Sequence, residues 1–135
     1  MLATIMQGLI NTTTNRNNQG LQQLPFDSTR VNNGSYFSTS NKRFDAPVNG
    51  VYYFSLSLNI KGRVEAYIRK NGSTYHGGEM EIIADNIDGW RHITIACCMS
   101  LTAGQYADCA VNLQDSNAYA WNGGTWDSFS GYLIG

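Results

Sequence analysis

Residues 115–127, DSNAYAWNGGTWD, concentrate aromatic, amide and acidic side chains in a short stretch. Indole and phenol rings stack on the C–H side of a pyranose, while amides and carboxylates hydrogen-bond to its hydroxyl groups. The stretch therefore predicts a carbohydrate-binding site formed by Tyr119, Trp121, Asn122, Trp126 and Asp127. In the alternative interpretation, these aromatic residues pack between neighbouring subunits.

A second, smaller aromatic group of the same kind comes earlier in the chain and consists of Tyr75, His76 and Trp90. Its members combine ring faces with polar atoms, as the first group does. We expect it to be the weaker of the two binding candidates.

Metal-binding side chains occur in two groups. In HGGEME, the imidazole of His76 and the carboxylates of Glu79 and Glu81 have a spacing that matches no common site. The other oxygen donors lie outside any regular calcium-loop spacing; they are Asp85, Asp88 and Asp115. We interpret these aspartates as Asx-turn residues and predict no cofactor, with calcium as the alternative.

Motifs of enzymatic catalysis are missing from the sequence. It contains no Gly-x-Ser-x-Gly, His-Glu-x-x-His or Cys-x-x-Cys and no phosphate-binding glycine loop. A lone histidine such as His92, next to Trp90 and Arg91 at a strand start, is typical of a surface or an interface. We therefore predict that the protein is not an enzyme.

Composition limits the partners. The 135 residues carry a formal net charge of -1 and only 14% are charged, which argues against binding to nucleic acid. The start MLATIMQGLI has no basic region and is shorter than the roughly 18 apolar residues of a membrane span, so we expect neither an export signal nor a membrane anchor. Three cysteines are too few for a disulfide framework and indicate folding in a reducing compartment.

Strands separated by tight turns account for most of the chain. Asn-Gly, which favours the positive φ of hairpin turns, occurs at residues 33–34, 49–50, 71–72 and 122–123, each time between strand-like runs. This pattern predicts an all-β antiparallel sandwich. We expect one domain over residues 1–135, in which residues 1–25 supply a first strand and a polar connecting loop, NTTTNRNNQGLQQ.

Two of these strands have an uncharged second face. In VYYFSLSLNI, residues 51–60, the row from Tyr52 to Ile60 is bulky and apolar, while the opposite row contains Tyr53, Ser55, Ser57 and Asn59. The strand HITIACCMSL, residues 92–101, repeats this pattern, whereas YADCAVNLQ has Asp108 and Asn112 in its outer row. We expect one sheet to be covered on both faces and the other to face water.

The alternation also gives a cysteine prediction. Cys97 and Cys109 belong to core rows and Cys98 to an outer row. If residues 92–101 and 106–114 form a hairpin, a loop of odd length pairs Leu101 with Ala107 and Met99 with Cys109, which leaves the core cysteines diagonal and too far apart to bond. We predict three free thiols, with Cys98 facing a neighbouring subunit.

Five segments in order resemble the globular head of complement C1q and its jelly-roll relatives in the tumour necrosis factor superfamily. They are Tyr36 ahead of RFDAP, FDAPVNGVYYFSL, YIRKNG, LTAGQYADCAV and SFSGYLI, and they span residues 26–135. The resemblance implies a ten-stranded antiparallel jelly-roll sandwich that assembles into a homotrimer.

By the same resemblance, one sheet of each subunit faces the three-fold axis. The residues implied at the subunit contacts are Tyr53, Ser55, Thr94, Ala96, Cys98, Phe129 and Leu133. For the last strand, Tyr132 and Ile134 compete with Phe129 and Leu133, because the two pairs lie on opposite faces.

Sparse charge and frequent asparagine are similar to bacteriophage tail-fibre tips and head-decoration proteins, where C1q-like heads also occur. This resemblance implies a structural or receptor-binding component of a virion, assembled in the host cytoplasm, whose partners are other virion proteins and a host-surface glycan or protein. The alternative is a secreted C1q-like lectin or ligand, for which glycans on Asn11, Asn33 and Asn71 would be evidence.

Overall fold

The computed structural model describes residues 5–10, 20–80, 90–114, 118–120 and 127–135. These residues contain twelve β-strands and no helix. In chain order the strands are β1 (Ile5–Leu9), β2 (Gly20–Gln23), β3 (Ser28–Asn32), β4 (Phe37–Ser38), β5 (Arg43–Asp45), β6 (Gly50–Lys61), β7 (Val64–Lys70), β8 (Ser73–Met80), β9 (Arg91–Leu101), β10 (Tyr106–Leu113), β11 (Tyr119–Ala120) and β12 (Ser128–Leu133).

The strands form two antiparallel six-stranded sheets that pack face to face. Sheet A has the order β9, β6, β12, β1, β3, with β11 pairing the end of β6. Sheet B has the order β4, β5, β10, β7, β8, with β2 beside β10. The predicted sandwich is confirmed; the strands number twelve rather than the expected ten, and β4 and β11 are only two residues long.

Local turn chemistry explains the hairpin between β7 and β8. Asn71 and Gly72 have φ values of 52° and 81°, and Lys70 pairs directly with Ser73, so the predicted Asn-Gly turn is a two-residue loop. The segment 11–23, which we expected to be a polar loop, ends in a strand: Gly20–Gln23 pair with residues 110–113 of β10. The expected loop therefore contains the strand β2.

The core lies between the sheets and is rich in aromatic rings. Tyr52, Phe54, Leu56, Leu58 and Ile60 of β6 are fully buried, as their alternation predicts. The ring of Phe54 lies 5.4 Å from that of Phe129 and 5.5 Å from that of Phe44. Burial of each side chain of this size contributes roughly 1.5–3 kcal/mol to the free energy of unfolding. Phe54, which contacts Phe129 of sheet A and Phe44 of sheet B, is therefore a main source of stability.

The expected hairpin between the strands at residues 92–101 and 106–114 is wrong. β9 pairs with β6 in sheet A, whereas β10 pairs with β2, β5 and β7 in sheet B. The turn between them, in which Gln105 N–H donates to Thr102 O, carries the chain from one sheet to the other. Both strands have inward-facing apolar rows because they face each other across the core, so the predicted pairings of Leu101 with Ala107 and Met99 with Cys109 do not form.

The outer face of sheet B contains a buried ion pair. Asp108 is only 2% exposed; it accepts hydrogen bonds from Arg69 at 2.7 and 2.6 Å and from the amide of Gln23 at 2.9 Å. The Asp108 carboxylate raises the pKa of the Arg69 guanidinium, chiefly through these hydrogen bonds. The expectation that Asp108 faces water is therefore wrong, because side chains of β2 and β7 cover it.

This buried pair has a matched exposed counterpart in the same sheet. Arg43 and Asp45 also form an Arg–Asp pair, at 3.1 Å, but their side chains are 34% and 37% exposed. The Arg43 guanidinium lies 4.1 Å from the centre of the Tyr106 ring. Both of these pairs in sheet B are thus satisfied within one chain.

We predict that Asp108→Ala lowers the free energy of unfolding by about 3–5 kcal/mol, because it leaves the Arg69 guanidinium without its partner. Asp45→Ala is the control and should cost at most about 1 kcal/mol, since its pair is exposed. Urea unfolding followed by circular dichroism measures both. Equal losses in the two variants would contradict the buried role of Asp108.

Candidate functional site

The outer face of sheet A is polar but uncharged along its centre. Ser55 of β6 lies opposite Ala96 of β9, and Ser57 lies opposite Thr94, with a hydroxyl–hydroxyl distance of 3.1 Å. Thr94 and Ala96 are exposed, and Ser55 is half-buried. A sheet face in contact with water usually carries charged side chains at such positions, so this face is suited to a protein contact.

One row of this face is apolar across four strands. Cys98 of β9, Tyr53 of β6, Tyr132 of β12 and Ile5 of β1 are successive cross-strand neighbours. The Tyr53 and Tyr132 rings lie 5.3 Å apart, and Tyr132 and Ile5 remain 46% and 49% exposed. We call these four residues the apolar row. It is a contiguous apolar surface of which Cys98, Tyr132 and Ile5 are exposed and Tyr53 is half-buried in the single chain.

The pairing of β12 with β6 shows which face of the last strand points outward. Phe129 is fully buried and packs against the rings of Phe26, Phe37 and Phe54. Its predicted place at a subunit contact is therefore wrong. Tyr132, which competed for that assignment, lies outward because it is the residue opposite Tyr53.

The inward row of β12 is shaped to the core. Leu133 is half-buried and packs against the core cluster, so it too belongs to the inner row. A Cβ atom on Gly131 would lie 2.5 Å from the Phe54 ring, which explains the glycine in this row. The register between β12 and β6, rather than the local sequence pattern, determines which side chains of β12 face the core.

A different group of side chains surrounds the end of β6. Trp90 and Tyr119 have ring centres 5.9 Å apart, and the Lys61 ammonium lies 5.5 Å from the centre of the Tyr119 ring. Tyr119 is directly opposite Lys61 in the pairing of β11 with β6. We call Lys61, Trp90 and Tyr119 the end cluster. It joins one residue from each of the two aromatic groups that the sequence predicts, and adds Lys61, which the sequence analysis missed.

The other predicted aromatic residues lie elsewhere. The Tyr75 hydroxyl, on β8, donates a hydrogen bond to the backbone oxygen of Cys98 at 2.9 Å, and His76 lies opposite Ile68. Tyr75 therefore occupies a backbone acceptor of β9, which is an edge strand of its sheet. Trp121, Asn122 and Trp126 lie outside the described residues.

Asp127 does not present its carboxylate to a ligand. It is fully buried, and its Oδ1 atom accepts a hydrogen bond from the Asn59 backbone N–H at 2.7 Å. The prediction that it binds a sugar hydroxyl is therefore wrong. Its side chain instead joins the start of β12 to the β6 backbone, since a buried carboxylate must find donors within the protein.

Metal binding finds no support in the described part of the chain, where no three His, Cys, Asp or Glu side chains are grouped to hold an ion. Most of the residues for which metal binding was considered lie outside the described side chains: Glu79, Glu81, Asp85, Asp88 and Asp115. Within the described ranges, no helix has the length and apolar character needed to cross a membrane.

The three cysteines are free, as predicted. Burial raises the pKa of the Cys109 thiol well above its ordinary value. Burial, with a smaller contribution from Cys98, raises the pKa of Cys97 to about 11. Cys98 is the exposed thiol and lies in the apolar row, so it reports on whatever covers that row.

Comparison with known proteins places this geometry in a family. A family model of the C1q domain matches residues 9–134. The fold is similar to that of the globular domain of zebrafish complement 1qA protein, with a TM-score of 0.75 and 17% sequence identity over 98% of each chain. At this identity, the structural likeness shows the fold alone.

The corrected facing of β12 gives a prediction. Phe129→Ala should lower the free energy of unfolding by about 3–5 kcal/mol, because it leaves a cavity among the core rings. Ser130→Ala, in the adjacent outward position, should change it by less than about 0.5 kcal/mol. Thermal or urea unfolding measures both. If the two variants were equally stable, Phe129 would not be a core residue.

Proposed function

The chain belongs to the C1q domain family, and on this premise we propose that it is a non-enzymatic binding head that forms a homotrimer through the outer face of sheet A. The family assignment rests on the domain match over residues 9–134. C1q domains are in general binding modules rather than enzymes. The finer proposal, which face is covered and by what, rests on the side chains of sheet A.

The apolar row is the observation that carries the assembly proposal. Tyr53, Tyr132, Ile5 and Cys98 cross four adjacent strands, so contact with other copies would remove one contiguous apolar surface from water. Most soluble oligomers are homo-oligomers with closed symmetry, so further copies of this chain are the partner that we propose. The uncharged Ser55, Thr94 and Ala96 beside the row allow close approach without burial of unpaired charge.

Sheet B supports this division of roles. Its ion pairs, Arg69 with Asp108 and Arg43 with Asp45, are formed within one chain. A subunit contact through this face would desolvate the partly exposed Arg43–Asp45 pair without adding a new partner. We therefore assign sheet B to the outside of the assembly.

For the ligand we propose a glycan or protein on a cell surface, recognised outside the subunit contacts. The support is the end cluster, where Trp90 and Tyr119 offer aromatic faces. Tyr119, Trp121, Asn122 and Trp126 remain our proposal for the extent of this site, without Asp127.

Attachment to a bacteriophage particle is a further proposal that rests on composition, namely sparse charge, frequent asparagine and three free cysteines. A secreted ligand-binding head is the alternative. Mass spectrometry of purified particles distinguishes the two: peptides of this chain in the particles support attachment, whereas secreted, glycosylated protein would contradict it.

We predict that the protein sediments with about three times its chain mass of 14.9 kDa. Tyr132→Glu should convert it to a monomer, because a carboxylate would be buried without a partner in the contact. Leu21→Glu is the control: Leu21 is 59% exposed on β2 of sheet B and should not affect assembly. A monomeric native protein, or a trimeric Tyr132→Glu variant, would contradict the proposal.

A further inference from the structure

We propose that Asn33 is a site of spontaneous covalent modification, at which the side-chain amide is converted to a carboxylate through a cyclic imide. The inference concerns the chemistry of the chain itself and goes beyond the proposed binding function. Asn-Gly pairs are the sequences most prone to this reaction, and they begin at residues 33, 49, 71 and 122. The folded structure distinguishes among them by the hydrogen bonds of the asparagine side chains.

The reaction takes place within the chain and consumes one water molecule. The backbone nitrogen of Gly34 bonds to Cγ of Asn33, the bond from Cγ to the amide nitrogen breaks, and the proton of the Gly34 N–H leaves with that nitrogen as ammonia. Water then opens the imide at either of its two carbonyl groups and gives aspartate or isoaspartate. Glycine favours the attack because it has no side chain beside the reacting nitrogen.

Asn33 lies in an exposed turn between β3 and β4. The Ser35 N–H donates to the oxygen of Asn32 at 3.1 Å, which makes Asn33 and the next residue the centre of the turn. The side-chain amide of Asn33 and the N–H of Gly34 make no hydrogen bond to any residue that the structure describes. Both reacting groups are therefore free to meet.

The turn requires glycine at the reacting position. Gly34 has a φ of 85°, which other residues rarely adopt, and a Cβ atom there would clash with the Tyr36 ring. The fold therefore keeps the reacting nitrogen unhindered. Each conversion adds one negative charge to a chain whose net charge is -1, and it does so beside Ile5 of the apolar row, whose oxygen accepts the Asn33 backbone N–H at 3.0 Å.

Asn71 is the matched comparison, because it begins the same tripeptide, Asn-Gly-Ser, in another exposed turn. Its Oδ1 atom accepts a hydrogen bond from the Tyr106 N–H at 3.0 Å, and its own N–H donates to the Tyr106 oxygen at 2.9 Å. These two bonds hold the side chain and the backbone of Asn71 against β10. Rotation of its Cγ onto the Gly72 nitrogen requires the Oδ1 bond to break first.

Asn49 is held in a similar way. Its Oδ1 atom accepts a hydrogen bond from the Ala103 N–H at 2.8 Å, in the turn that follows β9. Asn122 lies outside the described residues. Of the three pairs that the structure describes, the one at Asn33 should therefore react first.

The test incubates unglycosylated protein at mildly alkaline pH and measures each Asn-Gly peptide by mass spectrometry, since replacement of an amide by a carboxyl group changes the mass. Asn33 should react about threefold to tenfold faster than Asn71, because one hydrogen bond must break before the reaction at Asn71. In denaturing urea the two sites should react at similar rates, because their tripeptides are identical.

Two variants assign the acidic form that ion-exchange chromatography separates from the starting protein. Asn33→Gln should not develop this form, because attack on the longer side chain would have to close a larger ring. Asn71→Asp, which keeps an oxygen acceptor for the Tyr106 N–H, should still develop it at the native rate. Circular dichroism establishes that each variant is folded.

Modification of Asn71 as fast as that of Asn33 in the native protein would overturn the inference. The same holds for a preference for Asn33 that persists unchanged in urea, because local sequence rather than the fold would then be its cause. An acidic form that develops equally in Asn33→Gln and Asn71→Asp would also contradict the assignment to Asn33.

Discussion

The strand β6 imposes the constraint on which the rest of the structure depends: its twelve residues alternate between an apolar face and a face that carries no charge from Val51 to Asn59. One face carries Tyr52, Phe54 and Leu56 into the core. The other face carries Tyr53 into the apolar row. Because β6 pairs with β9 on one side and with β12 and β11 on the other, its alternation sets the facing of most of sheet A.

The two sheets differ in where their charged side chains lie. Sheet B encloses Asp108 with Arg69 and pairs Asp45 with Arg43, so these four charges are satisfied within the chain. The strands of sheet A contain no acid and form an uncharged centre, with Arg30 on the edge strand β3 and Lys61 and Arg91 at the ends of β6 and β9. Contact with another copy through the centre of sheet A would therefore bury no charged side chain.

Local pattern predicted the facing of side chains, and failed where partners came from distant parts of the chain. Alternation gave both faces of β6 and β9, and Asn71-Gly72 gave the hairpin of β7 and β8. The same alternation cannot tell a neighbour in the same sheet from one across the core, so β9 and β10 were wrongly paired. The inward facing of Phe129 depends on the register of β12 with β6, and the contact of Trp90 with Tyr119 depends on the pairing of β11 with β6. Neither pairing can be read from a local sequence pattern.

The central claim is that other copies cover the apolar row, and the rate at which iodoacetamide alkylates Cys98 tests it most directly. Cys98 is the exposed thiol in a single chain, whereas burial protects Cys97 and Cys109. Peptide mass spectrometry after a short exposure should show Cys98 alkylated many-fold more slowly in the native protein than in Tyr132→Glu. Equal rapid alkylation of Cys98 in both proteins would contradict the claim.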